Sequence, residues 1–419
     1  MHTPIDLSSS HTSIQSPFKV CILGGGFGGL YAALYLQRFS ELQVTLIDQN
    51  DHILFTPLLY ELITNELQIW EIAPPFSKLI RQKKIKFYQD RILGADLKKQ
   101  QVYLQDRGEL QYDYLIIAVG VKSLIDNVPG VKEHTASFRT LKDTEFLKKK
   151  LQDFRSLSKD PVQISVVGGG PSGVELATKI ADYLGQKGEV RLITRGDRIL
   201  RSFTKATRLT AEKALEERKV RISFLTQVNL VEANRLIVEQ ANETSSLPTD
   251  LVIWTTGTKA RSWVLDLDCE HNRYGQLLVE PTLQLKGYPE VFALGDIADI
   301  PSNSEIPRTA QAAYQQAPVA AKNLRSRIHQ KRLKKFRYLH LGEMITIGVN
   351  DAAVSSFGLH FHGSLAFLFR NLVYLIRMPT ISHRLQVFLR WLQRWWMRWV
   401  NWIFKTPKRK AKNYPTGIQ

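Results

Sequence analysis

Two glycine-rich loops of the same design are the segments of this chain best suited to chemistry. They lie 144 positions apart, and each follows a short apolar run and opens a stretch that could form a helix. In such a loop the first glycine permits a tight turn, the second lets a pyrophosphate approach the backbone, and the third lets the helix pack on the strand. Two loops of this kind predict that the chain binds two dinucleotides. The first, second and third glycines are Gly24, Gly26 and Gly29 in one loop and Gly168, Gly170 and Gly173 in the other, and Gly28 is also assigned to the first site.

The residues that follow the two loops make the pair asymmetric. After the first loop an apolar run ends in Asp48, and a carboxylate there can accept hydrogen bonds from an adenosine ribose. After the second loop the equivalent run ends in Thr194, with Arg195 beside it. A carboxylate would repel a 2′-phosphate, whereas a threonine and an arginine can accept one; the alternative is that Arg195 is an ordinary solvated charge. We therefore predict FAD at the first loop and NADP(H), in preference to NAD(H), at the second.

Later segments repeat this duplication. Residues 113–120 and 250–257 each begin with an acid and end seven positions later in a glycine, with an apolar strand between. This pattern predicts a buried strand that turns beside a bound dinucleotide. A third apolar strand ends in Gly295 and Asp296, whose carboxylate could reach the ribityl hydroxyls of a flavin. The other residues assigned from these strands are Ala118 and Gly120 for FAD and Gly257 for the nicotinamide.

The order of these blocks predicts a nested architecture of the α/β class. Strands alternate with helices, as in doubly wound, mainly parallel sheets. We expect two nested Rossmann-like dinucleotide-binding domains and a C-terminal amphipathic, membrane-associating region. The polar stretch 240–249 predicts a hairpin or a loop. The predicted parts are a disordered arm over 1–17, an FAD domain over 18–145 and 260–335, an NAD(P)H domain over 146–259, and the C-terminal region over 336–419.

Composition narrows the class of reaction. The chain has 419 residues and a formal net charge of +18, of which the part from residue 331 onward carries +14. Its two cysteines, Cys21 and Cys269, are far apart and form no C-x-x-C pair, which argues against a dithiol–disulfide reductase. The ten histidines show no ligand spacing, so we predict no metal site. Hydride transfer between a nicotinamide and a flavin needs neither.

The end of the chain combines tryptophan with arginine. Residues 383–405 predict one helix with cations on one side and leucine, phenylalanine and tryptophan on the other. Four arginines exclude a simple membrane span, whereas a helix lying in the membrane interface needs an apolar face and a cationic face toward anionic lipid. Residues 365–377 could supply a second, shorter helix of this kind. Nucleic-acid binding and packing on the body or on a second copy are the alternatives; we favour the membrane and expect no nucleic acid.

Several motifs together carry a resemblance to a known family. The runs at 55–61, 168–175, 295–296 and 310–315 resemble the type II NAD(P)H:quinone oxidoreductases, over about residues 18 to 350. Two longer runs, 60–74 and 341–353, are similar to the cyanobacterial and plastid branch that reduces demethylphylloquinone, a prenylated naphthoquinone, in phylloquinone synthesis. The resemblance implies one tightly bound, non-covalent FAD.

The resemblance also implies roles for individual residues. Glu175 matches an acid near the nicotinamide, and Gln311 and Gln315 match paired glutamines near the quinone end of the flavin. The alternative for Glu175 is an ordinary acid that the dipole at a helix N-terminus favours. The alternative for Gln311 and Gln315 is that they share one face of an amphipathic helix. For FAD, the matching residues are Asp48, Pro57, Asp296 and Ala310, with Pro57 near the isoalloxazine.

We therefore expect a flavoenzyme that reduces a lipid-soluble quinone with NADPH and pumps no protons. Its expected location is peripheral, on the cytoplasmic face of a thylakoid or plasma membrane of cyanobacterial type. A homodimer is compatible with the sequence. The alternatives are a general NAD(P)H:plastoquinone dehydrogenase and, from another class, a redox-sensing flavoprotein regulator with a basic binding tail.

Overall fold

A computed structural model describes residues 16–81, 83–124, 128–156, 161–302 and 306–404, with side chains described as far as residue 397. Most of the predicted arm, residues 1–15, lies outside the described residues. The chain divides into two compact units, one ending at Arg370 and the other beginning at Asn371.

The described residues form strands and helices along the whole chain. The strands are β1 (Phe18–Leu23), β2 (Leu42–Asp48), β3 (Ile85–Gln89), β4 (Ile92–Asp96), β5 (Gln101–Leu104), β6 (Gly108–Gln111), β7 (Tyr114–Ile117), β8 (Lys122–Ser123), β9 (Thr135–Ala136), β10 (Val162–Val167), β11 (Gly188–Ile193), β12 (Arg221–Ser223), β13 (Thr226–Val231), β14 (Arg235–Gln240), β15 (Glu243–Pro248), β16 (Leu251–Trp254), β17 (Thr258–Lys259), β18 (Leu277–Leu278), β19 (Gln284–Leu285), β20 (Tyr288–Ala293), β21 (Ala298–Asp299), β22 (Glu343–Gly348), β23 (Asp351–Ser356) and β24 (Leu359–Gly363). The helices are α1 (Phe27–Leu36), α2 (Ile69–Ile72), α3 (Phe76–Leu79), α4 (Val131–His134), α5 (Leu141–Ser156), α6 (Pro171–Leu184), α7 (Lys205–Glu217), α8 (Ser262–Leu265), α9 (Ala310–Ile328), α10 (Ser364–Arg377) and α11 (Ile381–Phe404).

A six-stranded sheet in the order β19-β20-β7-β1-β2-β3 contains the first glycine loop. Its central strand β1 pairs in parallel with β2 and β7, and β20 extends the parallel run beyond β7. The apolar run that predicts β1 is buried from Val20 to Leu23, because both faces of a parallel sheet are covered. Strands from near residues 18 and 290 therefore share one sheet, although more than 150 residues separate β7 from β20.

A second sheet in the order β12-β11-β10-β16-β9 contains the other loop. All four of its strand pairs are parallel, and β10 lies at its centre as β1 does in the first sheet. The predicted α/β class with two Rossmann-like sheets is confirmed. The division of the chain into an FAD and an NAD(P)H domain stays a prediction.

The acids that open the repeated strands have a structural role. The carboxylate of Asp113 accepts the N–H of Lys19 at 2.6 Å, and that of Asp250 accepts the N–H of Gln163 at 2.8 Å. Each acid therefore ties the start of its own strand to the start of the central strand of its sheet. The match between the two halves extends to these single hydrogen bonds.

The glycine loops require their glycines for steric reasons. Gly24 has φ +96° and Gly168 has φ +128°, in the left-handed region that glycine favours. A Cβ on either would lie within 2.5 Å of another atom, at Ala118 O and Thr255 Oγ1 respectively. The residue that follows β7 or β16 thus lies directly against the turn.

In its described residues the first unit also contains three antiparallel sheets of three strands each, beside the two-stranded pairs β8-β17 and β18-β21. The three-stranded sheets are β4-β5-β6, β13-β14-β15 and β22-β23-β24. The predicted hairpin over 240–249 is confirmed, since β14 and β15 turn at Ala241 and Asn242, both with positive φ. Helix α11 covers the predicted tail helix as far as Phe404, and Lys405 lies outside the described residues. In the described part of the chain, none of the helices is both long and apolar enough to cross a membrane.

Candidate active site

The first glycine loop opens onto a cleft that fits the adenosine part of a flavin dinucleotide. The cleft has a volume of about 310 Å³, within the size range of small-molecule sites. Its charged lining residues are Asp48, Arg91, Lys122 and Arg261. Backbone N–H groups of Gly25 and Asn50 donate to the Asp48 carboxylate at 2.7 and 2.8 Å. Burial raises the pKa of Asp48, while the two N–H donors and Arg261 oppose that rise.

The second loop has a similar backbone, but the residues at the end of the strand beside it differ from those at the first loop. Thr194, which occupies the position of Asp48, is 8% exposed and accepts the N–H of Gly196 at 3.2 Å. The side chain of Arg195 is exposed, and no ion pair joins it to another described residue. Two further arginines, Arg198 and Arg201, both bind Asp197 at about 3 Å. The predicted cation is therefore available, and the sequence analysis overlooked the acid two positions beyond it.

Open space lies in front of both loops where a pyrophosphate would bind. A Cβ built on Gly26 or Gly170 meets no atom of the described residues within 4 Å. Gly28 differs, because a Cβ there would lie 2.1 Å from Leu294 Cδ1. The lack of a side chain at Gly28 therefore lets helix α1 pack closely on the sheet. The residues present thus fit two dinucleotides, and a bound flavin supplies two-electron chemistry between a nicotinamide and a quinone.

Asp296 lies in a second cavity close to the first sheet. It follows β20 in a 3₁₀ turn that starts at Gly295, where φ is +76°. The Gly295 N–H donates to the side chain of Gln316 at 2.6 Å, and Gln316 is 3% exposed. Burial raises the pKa of Asp296, opposed by Arg139 and Arg308. Gln316, rather than either predicted glutamine, is the α9 residue that supports this turn.

Glu175 belongs to a buried group of charges. It lies on α6, and its Oε1 accepts the N–H of Thr346 at 3.1 Å. The guanidinium of Arg370, which is fully buried, lies 3.7 Å from the same oxygen. Arg370 also donates to Glu61 at 2.6 Å and to the carbonyl of Pro57 at 2.7 Å. One arginine therefore joins the segment predicted to approach the isoalloxazine to the acid predicted near the nicotinamide.

A second buried pair supports this group. Lys179, one helical turn after Glu175, forms an ion pair with Glu66, and both side chains are nearly inaccessible. Glu66 also accepts the backbone N–H of Asn350 at 2.9 Å. Nearby, the hydroxyl of Tyr60 donates to the hydroxyl of Ser172 at 2.9 Å. These contacts fix α6 against the segment that carries Glu61.

The buried group retains a proton at neutral pH. Burial raises the pKa of Glu175 to about 8, and Arg370 and the Thr346 N–H only partly offset this effect. Glu61 has one carboxylate oxygen on Arg370, and its other oxygen has no hydrogen-bond partner among the described residues. Because the Arg370 cation balances the Glu61 carboxylate, a protonated Glu175 leaves these three side chains without a net negative charge. A carboxylic acid of this pKa can release and recover a proton near neutrality.

The two predicted glutamines lie on α9 and contact a different segment. Gln315 donates to the carbonyl of Leu339 at 2.8 Å and accepts the Leu339 N–H at 3.0 Å. Gln311 donates to the same carbonyl at 3.2 Å. Its side-chain oxygen and second amide hydrogen make no hydrogen bond with another described residue, so Gln311 keeps a donor for a ligand. The roles of both glutamines stay predictions, as do those of Glu175, Pro57, Ala310, Gly120 and Gly257.

The sequence analysis did not identify Arg370, Glu61, Glu66 or Lys179. One signal was available for Arg370, because it is the lone charged residue in the mostly apolar run 364–376. A cation in such a run is expected to have a buried partner. The partners themselves gave no signal, since Glu61 is 309 positions away in the chain.

Comparisons with known proteins agree with this geometry. Residues 18–317 match the pyridine nucleotide-disulphide oxidoreductase family. The chain is 40% identical over 387 residues to demethylphylloquinone reductase NdbB of Synechocystis sp., covering 90% of this chain and 96% of that protein. It is 37% identical over 418 residues to alternative NAD(P)H-ubiquinone oxidoreductase C1, chloroplastic/mitochondrial, of Arabidopsis thaliana, covering 90% and 80%.

The fold is also that of a solved structure. NDH2 from Plasmodium falciparum in complex with NADH superposes with a TM-score of 0.82 at 20% identity, over 90% of this chain and 98% of that one. This chain belongs to the type II NAD(P)H:quinone oxidoreductases of the pyridine nucleotide-disulphide oxidoreductase family. It is a flavoprotein oxidoreductase that takes electrons from NAD(P)H and gives them to a quinone. Because the chain has two separate cysteines and no C-x-x-C pair, it lacks the dithiol of the family's disulfide reductases.

Proposed function

We propose that this protein reduces a prenylated naphthoquinone, demethylphylloquinone, with NADPH in the synthesis of phylloquinone. The Synechocystis relative that shares 40% identity over nine-tenths of the chain is a demethylphylloquinone reductase. That length of match, 90% of this chain and 96% of the relative, carries the proposal. A general type II dehydrogenase acting on plastoquinone is the alternative.

NADPH is proposed as the electron donor on the basis of two residues. Thr194 has no negative charge to repel a 2′-phosphate, and the exposed Arg195 can bind one through charge-assisted hydrogen bonds. We propose one tightly and non-covalently bound FAD at the first loop. Its pyrophosphate would lie at the N-terminus of α1 and its adenosine in the cleft with Asp48 and Arg261.

The buried charges are proposed to manage protons during quinone reduction. Two electrons on a quinone must be followed by two protons, and Glu175 holds one at neutral pH because its pKa is about 8. Arg370 would keep Glu175 in place through its contacts with Glu61 and Pro57. The amide hydrogen left on Gln311 is a candidate donor to a quinone carbonyl.

A strain that lacks this protein tests the substrate directly. If demethylphylloquinone is the substrate, the unmethylated naphthoquinone accumulates and phylloquinone falls, and the wild-type gene reverses both changes. The matched control is a gene for the Glu175→Gln variant, which should restore the protein but not the quinone profile. An unchanged profile in the deletion strain would leave the plastoquinone alternative.

We also propose that α11 holds the enzyme on one face of a membrane, the cytoplasmic face of a thylakoid or plasma membrane. Large apolar side chains of this helix are exposed, and its arginines can face anionic lipid. The exposed apolar residues are Ile381, Leu385, Phe388, Leu389, Leu392, Trp395, Trp396 and Met397. A homodimer through this helix is the alternative.

Paired leucine substitutions test the role of α11. Leu389 and Leu392 are 55% and 45% exposed, and Leu209 and Leu265, in the first unit, are each 52% exposed. L389Q/L392Q should weaken binding to anionic vesicles about tenfold or more, whereas L209Q/L265Q should not. If instead L389Q/L392Q binds vesicles normally and changes the sedimentation coefficient in their absence, α11 forms a dimer contact.

A further inference from the structure

The segment from Lys331 to Gly342, called the strap here, carries an unusual density of positive charge. Five of its first seven residues are lysine or arginine. All five side chains are exposed, and the segment has neither helical nor strand structure. They are Lys331, Arg332, Lys334, Lys335 and Arg337.

The strap is fastened to α9 at two points. Asn323, which is 1% exposed, binds both backbone groups of Lys334, each at 2.8 Å. Two helical turns earlier, Gln315 binds both backbone groups of Leu339. Between these points the Phe336 side chain is buried in the core of the first unit. The backbone is therefore held in one place, and the cations project from a fixed scaffold.

No acidic residue of the surrounding chain balances this charge. The sequence from 306 to 342 contains no aspartate or glutamate. Within the described residues, none of the five strap cations forms an ion pair. The nearby Glu41 is already bound by Arg325 at 2.9 Å. Like charges held together without partners repel each other, so binding to an external anionic surface would reduce the electrostatic repulsion among the strap cations.

The apolar residues of the strap favour a lipid surface over a nucleic acid. Leu339, next to the cations, is 59% exposed. Phe336, between the cations, is buried, and Tyr338, beside Arg337, packs half-buried against the core, so both rings are poorly placed to stack on a base. Cations beside an exposed leucine match the headgroup and acyl layers of an anionic bilayer.

We propose that the strap is a lipid-contact surface that binds an anionic bilayer independently of α11. This inference rests on the proposed membrane quinone as substrate. Because Leu339 is held by Gln311 and Gln315, lipid contact at the strap would place the glutamine pair next to the bilayer from which a prenylated quinone arrives. The strap thus acts as a second attachment point at the quinone end of the site.

A double substitution in the full-length, flavin-loaded protein tests this surface. K331Q/K335Q removes two exposed charges without touching the contacts of Asn323 or Gln315. The matched control is K142Q/K149Q, which removes two exposed lysines from α5. Binding is measured by co-sedimentation with vesicles of phosphatidylglycerol and phosphatidylcholine, and with phosphatidylcholine alone. Turnover is measured with NADPH and a water-soluble naphthoquinone, without vesicles.

The strap variant should bind phosphatidylglycerol vesicles roughly 10- to 30-fold more weakly than the wild type, at about a factor of five for each lysine. Its soluble turnover and its weak binding to phosphatidylcholine should not change, and K142Q/K149Q should behave as wild type. Equal binding by both variants would overturn the inference. The inference would also be overturned if K331Q/K335Q lost binding to duplex DNA while its binding to vesicles stayed intact. Absence of soluble turnover in the wild type would instead overturn the proposed function.

Discussion

The two glycine loops differ less in their backbone than in the residues that follow them. Gly26 and Gly170 have φ of −74° and −79°, and both precede the first turn of a helix. One loop is followed by the half-buried carboxylate of Asp48, and the other by the buried hydroxyl of Thr194. The shared backbone provides for a pyrophosphate in both halves, and side chains outside the loop distinguish the dinucleotides.

The helices after the loops differ in the same way. Seven positions after the first glycine, α1 has Tyr31 and α6 has Glu175. The ring of Tyr31 packs edge-on against Tyr314 with centroids 4.7 Å apart, whereas Glu175 joins the buried charges around Arg370. One helix therefore contributes packing at this position, and the other contributes a titratable group.

The largest effect is expected from alanine at the second glycine of each loop. A Cβ at Gly26 or Gly170 contacts no atom in the part of the chain that the structure describes, and it suits the φ of either residue, so both variants should fold. G26A should lose its flavin, with affinity down at least about 1,000-fold, or about 4 kcal/mol. G170A should keep one flavin per chain and lose NADPH binding to a similar extent. Flavin absorbance of the purified proteins and the KM for NADPH measure the two effects.

The matched controls are G29A and G173A. A Cβ on either would lie 1.8 Å from the carbonyl oxygen of the first glycine of its loop, so neither variant should fold. If G26A were to retain flavin and G170A were to lose it, the assignment of the two loops would be reversed.

The second prediction concerns the pH dependence of stability. The folded protein holds a proton on Glu175 up to about pH 8, whereas the unfolded chain releases it near pH 4.5. Because the pKa is raised on folding, this stabilisation is complete below the unfolded pKa and is lost as the pH rises through 8. The free energy of unfolding should fall by roughly 1 kcal/mol per pH unit between pH 5 and pH 8 from this group.

Glu175→Gln should lack this dependence, so its Tm relative to the wild type should rise with pH. Thermal unfolding at several pH values checks the slope. The control is Glu145→Gln, an exposed carboxylate on α5, which should follow the wild type. Parallel curves for Glu175→Gln and wild type would show that Glu175 does not hold the proton.

The third prediction tests the acid at the first loop. Asp48→Asn keeps the shape of the side chain but removes the charged acceptor, so flavin affinity should fall about 10- to 100-fold. The KM for NADPH should not change. Asp197→Asn is the corresponding control at the second loop, where the carboxylate binds Arg198 and Arg201. Equilibrium dialysis of FAD against each variant measures the affinity.

The fourth and smallest prediction tests the cation at the second loop. Arg195→Gln should lower kcat/KM for NADPH about tenfold and leave that for NADH nearly unchanged. Arg198→Gln removes an arginine already paired with Asp197 and should have a smaller effect. An equal loss with both coenzymes would mean that Arg195 does not contact the 2′-phosphate.

Much of the scaffold could be predicted from the sequence because its signals are local. The apolar run before Gly24 has the bounds of β1, and the acid-to-glycine pattern marks β7 and β16. Such runs are short, continuous and bounded by turns, and both faces of a parallel sheet bury them.

The polar contacts of the site could be predicted much less well. Arg370 meets Glu61 and Glu175 only after three separate segments have folded together. Gln315 matches a ligand-facing residue by sequence, yet its amide is bound on both sides to the backbone of Leu339. That backbone lies in the strap, which has no periodic pattern to place it.

The most direct test of the account compares the two coenzymes. Steady-state kcat/KM is measured for NADPH and for NADH with the full-length, flavin-loaded protein and a water-soluble naphthoquinone. The asymmetry between Asp48 and Thr194–Arg195 predicts a higher value for NADPH and a ratio that collapses in Arg195→Gln. A preference for NADH, or no reduction of the naphthoquinone with either coenzyme, would contradict the account.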